Sequence, residues 1–238
     1  DKGHVGHLAA KMMKKALTTE RRIRDKLDQK KGLLENREKE RVLKLGAEEG
    51  GPEILLALDG ARVRLGERSL LDGLSLRVRR GDRLAVVGPN GCGKTSLLRA
   101  LCGELDLVSG SLAMPAHIRL CRAHQIPLWQ RGLLRDLLAE GGIEETRFRT
   151  LMASFGVEGE IFERPLESFS EGQRKKVDLC RSFLAPAHLL LWDEPLNYLD
   201  LTSREQIEKV ILEFEPTLLF VEHDRYFTER VATDVIHL

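Results

Sequence analysis

Residues 88–95 have a composition suited to holding phosphate groups. They read Gly-Pro-Asn-Gly-Cys-Gly-Lys-Thr, follow a short apolar strand pattern at 84–87 and precede a helical pattern at 95–101. Glycines let a backbone wrap closely around an anion, and the N–H groups of the loop and of the helix start then face its oxygens. Lys94 adds a positive charge, and the Thr95 hydroxyl is a ligand that Mg²⁺ accepts. The pattern therefore predicts a nucleoside triphosphate site, formed by Gly88, Pro89, Asn90, Gly91, Cys92, Gly93, Lys94, Thr95 and Ser96.

Two acidic residues follow a second apolar strand pattern. Asp193 and Glu194 come directly after the strand predicted at 188–192. The carboxyl edge of a parallel sheet is where α/β folds bind their ligands, so we expect both carboxylates beside the phosphate site. There Asp193 would hold Mg²⁺, directly or through water, and Glu194 would orient and polarise the water that attacks the phosphate.

The order of the predicted elements indicates an α/β fold. Strands are expected at Ile54–Ala57, Arg62–Leu65, Leu74–Val78, Leu84–Val87, Ile118–Cys121, 188–192 and 217–221. Helices are expected at Thr95–Leu101, 132–140, 145–155, 171–184 and 203–213. Antiparallel-type strands come first and strands alternating with helices follow. This order predicts an α/β core with an antiparallel flank and a helical insertion.

The first 45 residues differ from the rest in charge. They contain 14 Lys and Arg against seven Asp and Glu, a net charge of +7, whereas the remaining residues carry a net charge of −6. Apolar residues recur at helical spacing over 8–45, and Gly46, Gly50, Gly51 and Pro52 then break the pattern. We expect a long basic helix ahead of the α/β domain. Because the chain begins at Asp1 rather than Met, we also expect it to be a piece of a longer protein.

Composition points to a globular protein in a reducing compartment. Hydrophobic residues make up 42% of the chain, and no apolar stretch has the length needed to span a bilayer. The four cysteines, at 92, 102, 121 and 180, fit neither a zinc site nor a dense disulfide framework. We therefore expect a cytoplasmic protein without direct membrane insertion.

Further motifs stand in the order found in ATP-binding-cassette (ABC) proteins. Gln125 follows a predicted strand, as the glutamine of the family's Q-loop does. Phe169–Gln173 is similar to the family signature, although Phe and Glu replace the usual Leu and Gly. Leu190–Glu194 resembles the Walker B strand, and Asp200 with Leu199 resembles the D-loop. His223 resembles the switch histidine. The resemblance covers residues 53–238 and implies a P-loop NTPase core of ABC type.

The resemblance assigns roles to these residues. It implies ATP and Mg²⁺ as cofactors and three catalytic residues: Glu194, His223 and Gln125. It implies three residues at the metal: Thr95, Gln125 and Asp193. It assigns four further residues to nucleotide binding across a cassette interface: Ser170, Gly172, Gln173 and Asp200.

Ser170 and Gln173 also form a capping-box pattern, which makes the helix start at 171 a second anion-suited helix terminus. One P-loop can saturate one triphosphate, so this second terminus is left for a nucleotide held by another cassette. We expect that partner to be either a missing N-terminal half or a second copy of this chain, and we expect hydrolysis to depend on it.

The basic segment favours one branch of the family. Residues 6–14 resemble the interdomain linker of antibiotic-resistance ABC-F proteins, and residues 169–177 resemble their second cassette. The resemblance implies a partial linker at 1–48, an ATP-binding domain at 49–238 and a helical subdomain at about 126–184. It also implies a full-length protein that acts on the ribosome and its RNA and that confers antibiotic resistance.

Two other functions remain open at this stage. The cassette subunit of a membrane transporter would dock a membrane protein with its insertion at 126–168. A nucleotide-binding module without hydrolysis is disfavoured by the intact Asp193, Glu194 and His223.

Overall fold

The computed structural model describes residues 52–65, 68–157 and 159–238. The strands are β1 (Ile54–Leu65), β2 (Arg68–Arg79), β3 (Arg83–Val87), β4 (Ser109–Ala113), β5 (Leu120–Ala123), β6 (Leu189–Asp193), β7 (Leu218–Val221) and β8 (Asp234–His237). The α-helices are α1 (Lys94–Leu101), α2 (Leu134–Glu140), α3 (Glu145–Ser154), α4 (Glu171–Leu184), α5 (Leu201–Phe214) and α6 (Arg225–Val231). The predicted linker at 1–48 and its basic helix lie outside the described residues.

The antiparallel flank is a three-stranded sheet with the order β2-β1-β4. Two short strands were expected at Ile54–Ala57 and Arg62–Leu65, but the structure has one continuous strand, β1. Its pairing with β2 shifts register between Leu58 and Ala61, where Gly60 has a φ of 56°. Bulges of this kind interrupt the alternation of side chains without ending a strand, which explains why the sequence pattern suggested a break.

The second sheet has five strands in the order β5-β6-β7-β3-β8, and all of its pairings are parallel. Every residue of β6 and β7 is buried, as expected for strands covered on both faces. The carboxyl ends of β5, β6, β7 and β3 meet along one edge. Four consecutive strands of the sheet therefore present their following loops to the same place.

One strand lies two residues later than expected. A strand was predicted at Ile118–Cys121, whereas β5 spans Leu120–Ala123 and pairs with β6 from Leu120–Leu189 to Ala123–Trp192. The Ile118 N–H donates to the Pro115 carbonyl oxygen at 2.9 Å, which closes a turn, so Ile118 precedes the strand. As a result, Gln125 stands only two residues beyond the end of β5.

The main apolar core lies among the antiparallel flank, helix α1 and the parallel sheet. Its members include Leu56, Val63, Leu97, Leu191 and Leu219. Helix α1 contacts β1 of the antiparallel sheet and β6 of the parallel sheet, and a Cβ on Gly93, just before the helix, would meet the Leu70 carbonyl oxygen of β2. The loop that precedes α1 is thereby held between the two sheets.

The chain segment that connects β5 to β6 contains helices α2, α3 and α4 and two short 3₁₀ helices at Gly159–Glu163 and Leu166–Ser168. Helix α4 begins with the capping box expected from the sequence. The Ser170 hydroxyl accepts a bond from the Gln173 N–H, and the Gln173 side chain accepts one from the Ser170 N–H. The observed architecture confirms the predicted α/β class with its antiparallel flank.

Candidate nucleotide site

The loop between β3 and α1 has a backbone that only glycine permits at its key position. Gly93 has a φ of 109°, and a Cβ placed there would lie 2.4 Å from the Leu70 carbonyl oxygen. Helix α1 begins at Lys94 without a side-chain cap, so the N–H groups of its first turn keep their bonding capacity for a ligand. This terminus is suited to an anion.

Lys94 is held inside the loop. Its Nζ donates to the carbonyl oxygens of Gly88, at 2.8 Å, and Pro89, at 2.9 Å, and the residue is 7% exposed. Both partners are neutral carbonyls, so these bonds fix the ammonium without cancelling its charge. The loop therefore presents a positioned cation beside the uncapped helix terminus.

Thr95 and Asp193 come together from α1 and β6. The Thr95 hydroxyl donates to Asp193 Oδ1 at 3.2 Å, and the Asp193 side chain is 1% exposed. Their oxygens are the ligands a hard cation prefers, and Mg²⁺ commonly uses one or two protein oxygens together with substrate phosphates and waters. Within the described ranges, no group of three or more His, Cys, Asp and Glu forms a self-sufficient metal site. The donor set fits Mg²⁺ bound with a nucleotide, where the ion would supply positive charge to the phosphate oxygens.

Glu194 lies at the centre of a second polar cluster. Its Oε2 accepts a bond from Gln125 Nε2, at 2.8 Å, and another from the Asn197 side-chain amide. His223 Nε2 lies 3.6 Å from Glu194 Oε1. Glu194 itself has a φ of 48°, a left-handed conformation that costs a non-glycine residue about 1–3 kcal/mol. The fold holds this carboxylate in a strained position with partners on both oxygens.

Most of the expected site residues line two cavities. One, of about 640 Å³, is lined by Leu70, Asn90, Gly91, Gly93, Lys94, Thr95, Ser96, Gln125, Glu194 and His223. Gly88 and Pro89 do not line this cavity but accept bonds from Lys94, which does, and the Cys92 sulfur lies close to Gly88, where an added Cβ would meet it at 2.8 Å. Gln125, assigned to both the metal and catalysis, contacts Glu194 in this structure.

The other cavity lies at the start of α4 and has a volume of about 620 Å³. Its lining includes Ser170, Gly172, Gln173 and Asp200, the four residues assigned to a nucleotide across an interface. Lys176 also lines it, and burial lowers the pKa of its ammonium. The structure thus separates these four residues from the P-loop cavity.

Sequence inspection missed Glu222. Its carboxylate is 5% exposed and accepts bonds from three main-chain N–H groups, those of Leu196, His223 and Asp224. It therefore ties the segment after Glu194 to the segment that carries His223. An acid directly after an apolar strand was the signal that identified Asp193, and Glu222 follows β7 in the same way.

Three charged residues of α4, also missed, tie this helix to the site. The Lys175 ammonium donates to the carbonyl oxygens of His124, at 2.9 Å, and Asp193, at 3.1 Å, and burial lowers its pKa. Asp178 accepts the His124 N–H at 3.1 Å and the Arg181 guanidinium at 2.8 Å. The helix that starts at Ser170 is therefore bonded to the ends of both β5 and β6.

A P-loop between a parallel strand and a helix, with strand-end acids beside it, defines a P-loop nucleotide-binding α/β domain. The family model described as ABC transporter matches residues 71–197, more than half of the chain. The chain therefore belongs to the ATP-binding-cassette family, whose domains bind ATP with Mg²⁺ and hydrolyse it.

The relatives support the same assignment. The chain is 33% identical over 194 residues to the ATP-binding protein Uup of Caulobacter vibrioides, covering 75% of this chain and 31% of that protein. It is 34% identical over 194 residues to YdiF of Bacillus subtilis, covering 80% and 30%, and 31% identical over 190 residues to Uup of Escherichia coli K12, covering 76% and 30%. These relatives are ABC-F proteins, which confirms the resemblance inferred from the motifs. The chain spans about a third of their length.

Solved structures agree on the fold. A structure described as the ATP binding subunit of an ABC transporter superposes with a TM-score of 0.66 at 21% identity, covering 77% of this chain and 85% of that one. Among the helices that the structure describes, none is long and apolar enough to cross a membrane.

Proposed function

We propose that the chain is the ATP-hydrolysing cassette of a cytoplasmic ABC-F protein, with Glu194 as the residue that orients the attacking water. The observation that carries the catalytic assignment is the set of partners around Glu194. Gln125 and Asn197 both donate to its Oε2, which leaves Oε1 facing His223. A carboxylate fixed in this way can accept a hydrogen bond from water and take its proton as the water attacks the terminal phosphate.

His223 is proposed to position the same water. Its imidazole is 48% exposed and 3.6 Å from Glu194, so it has room to turn between the carboxylate and a phosphate oxygen. Lys94, Thr95 and Asp193 would bind the triphosphate and its Mg²⁺. The groups that bind and the groups that act on water are therefore different residues of one cavity.

The catalytic proposal is tested with Glu194→Gln. We expect the variant to bind ATP as the wild type does and to release phosphate about 10²–10⁴-fold more slowly, because the amide cannot take the proton. Nucleotide binding and phosphate release are measured on the same preparation. Glu213→Gln, an exposed acid on α5, is the matched control. Turnover of Glu194→Gln at the wild-type rate would exclude this role.

A second cassette is part of the proposal. The cavity at the start of α4 has an exposed capping serine, a helix terminus and Lys176, which together suit the phosphates of a nucleotide held elsewhere. We propose that the partner is a second cassette, either on a longer form of this protein or in a second copy of this chain.

The ribosome is the proposed target of the full-length protein. The basic segment at 1–45 supports contact with RNA, and such binding should weaken steeply as salt rises. The resemblance of residues 6–14 to antibiotic-resistance members supports a role in displacing a ribosome-bound drug. The test is co-sedimentation of the full-length Glu194→Gln protein with 70S ribosomes in ATP, at two salt concentrations. Absence from the ribosome pellet at low salt would contradict the proposal.

The transporter alternative rests on one surface feature. Ile126 and Leu128, at the start of the helical region, are 69% and 58% exposed, and Ile126 lines a cavity of about 430 Å³. A transporter cassette would cover these side chains with a membrane protein. Recovery of a hydrophobic permease, in place of ribosomes, from the same pull-down would favour this alternative.

A further inference from the structure

Arg122 is a buried cation beside the carboxylate assigned to Mg²⁺. It lies on β5, and its guanidinium crosses to β6, where Nη2 donates to Asp193 Oδ2 at 3.0 Å. The two side chains are 8% and 1% exposed. The contact is therefore a desolvated ion pair, in which a charge left without its partner is costly.

The two oxygens of Asp193 have different partners. Oδ2 is taken by Arg122, and Oδ1 accepts the Thr95 hydroxyl at 3.2 Å. Because both oxygens are engaged, rotation of the carboxylate would break both contacts. The oxygen that faces α1 and its Thr95 hydroxyl is thereby fixed as Oδ1.

Glu104 balances the charge that Arg122 brings. Nη1 of Arg122 donates to the two Glu104 carboxylate oxygens, at 3.0 and 3.3 Å. A lone guanidinium this close to a cation site would repel the metal, since like charges at short range in a partly dry site interact strongly. With a carboxylate on each side, Arg122 supplies its hydrogen bond to Asp193 without an unbalanced positive charge.

The fold retains this arginine at a cost. Arg122 Nε is buried and lacks a hydrogen-bond partner among the described residues, and a buried donor left unsatisfied costs about 1–3 kcal/mol. An apolar side chain would fill the same place without that cost. The hydrogen bond from the guanidinium to the Asp193 carboxylate explains why an arginine is present here.

We propose that Arg122 is a positioning residue for the metal site: it orients the Asp193 carboxylate so that Oδ1 is presented, with the Thr95 hydroxyl, to Mg²⁺ of the bound nucleotide. This rests on the proposed role of Asp193. Partners that orient a metal ligand typically contribute about 10- to 100-fold to metal affinity or activity.

The test compares ATP affinity with Mg²⁺ and in EDTA, using the 238-residue chain. For Arg122→Met we expect ATP affinity to fall about 10- to 100-fold with Mg²⁺ and to change little in EDTA, where the P-loop alone holds the phosphates. Arg122→Lys cannot bridge both carboxylates, so it should also lose affinity with Mg²⁺. Because it keeps the positive charge, its loss should be smaller than that of Arg122→Met. Arg99→Met is the matched control: the Arg99 guanidinium also bonds Glu104, at 3.3 Å, but among the described hydrogen bonds it makes none to Asp193. We expect it to match the wild type.

Each outcome is decisive. The deciding quantity is the ratio of ATP affinity with Mg²⁺ to ATP affinity in EDTA. If Arg122→Met keeps the wild-type ratio, whether by losing no affinity or by losing it equally in both buffers, the positioning role is overturned. If Arg122→Met does not fold by circular dichroism, the ratio in Arg122→Lys decides, and a wild-type ratio there also overturns it. Failure of the wild type to bind ATP in either buffer would instead contradict the proposed function.

Discussion

The acidic side chains at the ends of β6 and β7 differ in their hydrogen-bond partners. Asp193 faces a hydroxyl and a guanidinium, Glu194 faces two amides and an imidazole, and Glu222 faces main-chain N–H groups. Acidic residues at the same kind of strand end therefore suit three tasks. The chemistry of each acid is set by its partners rather than by its distance from the strand.

At the scale of single residues, Glu222 is predicted to be structural. Glu222→Ala leaves the N–H groups of Leu196, His223 and Asp224 without their acceptor in a buried place. We expect a loss of about 1–3 kcal/mol in the free energy of unfolding, measured by denaturant titration. Glu222→Gln keeps an acceptor oxygen and should lose less. Equal stability of the alanine variant and the wild type would contradict this role.

Sequence inspection predicts a residue well when its partners are local. The P-loop residues are contiguous, and their chemistry follows from glycine, lysine and threonine at fixed spacing. The roles of Arg122 and Lys175 were not predicted, because their hydrogen-bond partners, Asp193 and His124, lie on other elements. A charged residue in a strand or helix pattern is expected to face solvent until the fold brings a counter-charge to it.

At the scale of elements, α4 joins two functions in one helix. Its first turn lines the second cavity, while Lys175 and Asp178 bond the ends of β5 and β6. A movement of the helix start would therefore reach the residues beside Gln125 and Asp193. This linkage gives a physical route between the two cavities.

Variants of Ser170 separate the cap from the proposed phosphate contact. Ser170→Ala removes the cap and should cost about 1 kcal/mol of stability. Ser170→Asp keeps an N-cap acceptor but adds a negative charge where a phosphate is expected. We predict near wild-type thermal stability for the aspartate variant together with loss of the part of ATP turnover that rises with protein concentration. Unchanged, concentration-dependent turnover in Ser170→Asp would exclude a phosphate at this position.

Element boundaries were predictable where burial was continuous. Strands β6 and β7 and helix α4 lie within one or two residues of the expected ranges, because long apolar runs or a capping box mark them. The break expected inside β1 and the early start expected for β5 were wrong. The register shift near Gly60 resembles a strand end in the sequence, and the apolar Ile118 resembles a strand residue although it closes a turn with Pro115. Only the pairing with neighbouring strands distinguishes these cases.

At the scale of the whole molecule, residues 52–238, as far as they are described, form a P-loop cavity and a separate cavity proposed to face a second phosphate. The chain spans about a third of the length of its relatives Uup and YdiF, so the remaining length leaves room for a second cassette in proteins of that kind. In the proposed two-cassette arrangement, one cassette supplies only part of each nucleotide site. We therefore expect binding of MgATP by this chain to be robust and its turnover to depend on a partner.

Binding of MgATP is the central claim, and titration calorimetry on the folded 238-residue chain tests it most directly. We predict measurable affinity for the wild type and a loss of about 30-fold or more, about 2 kcal/mol, in Lys94→Ala, because a buried cation that pairs with phosphate is removed. Folding of both proteins is verified by circular dichroism. No binding by the folded wild type, or equal affinity in Lys94→Ala, would contradict the account.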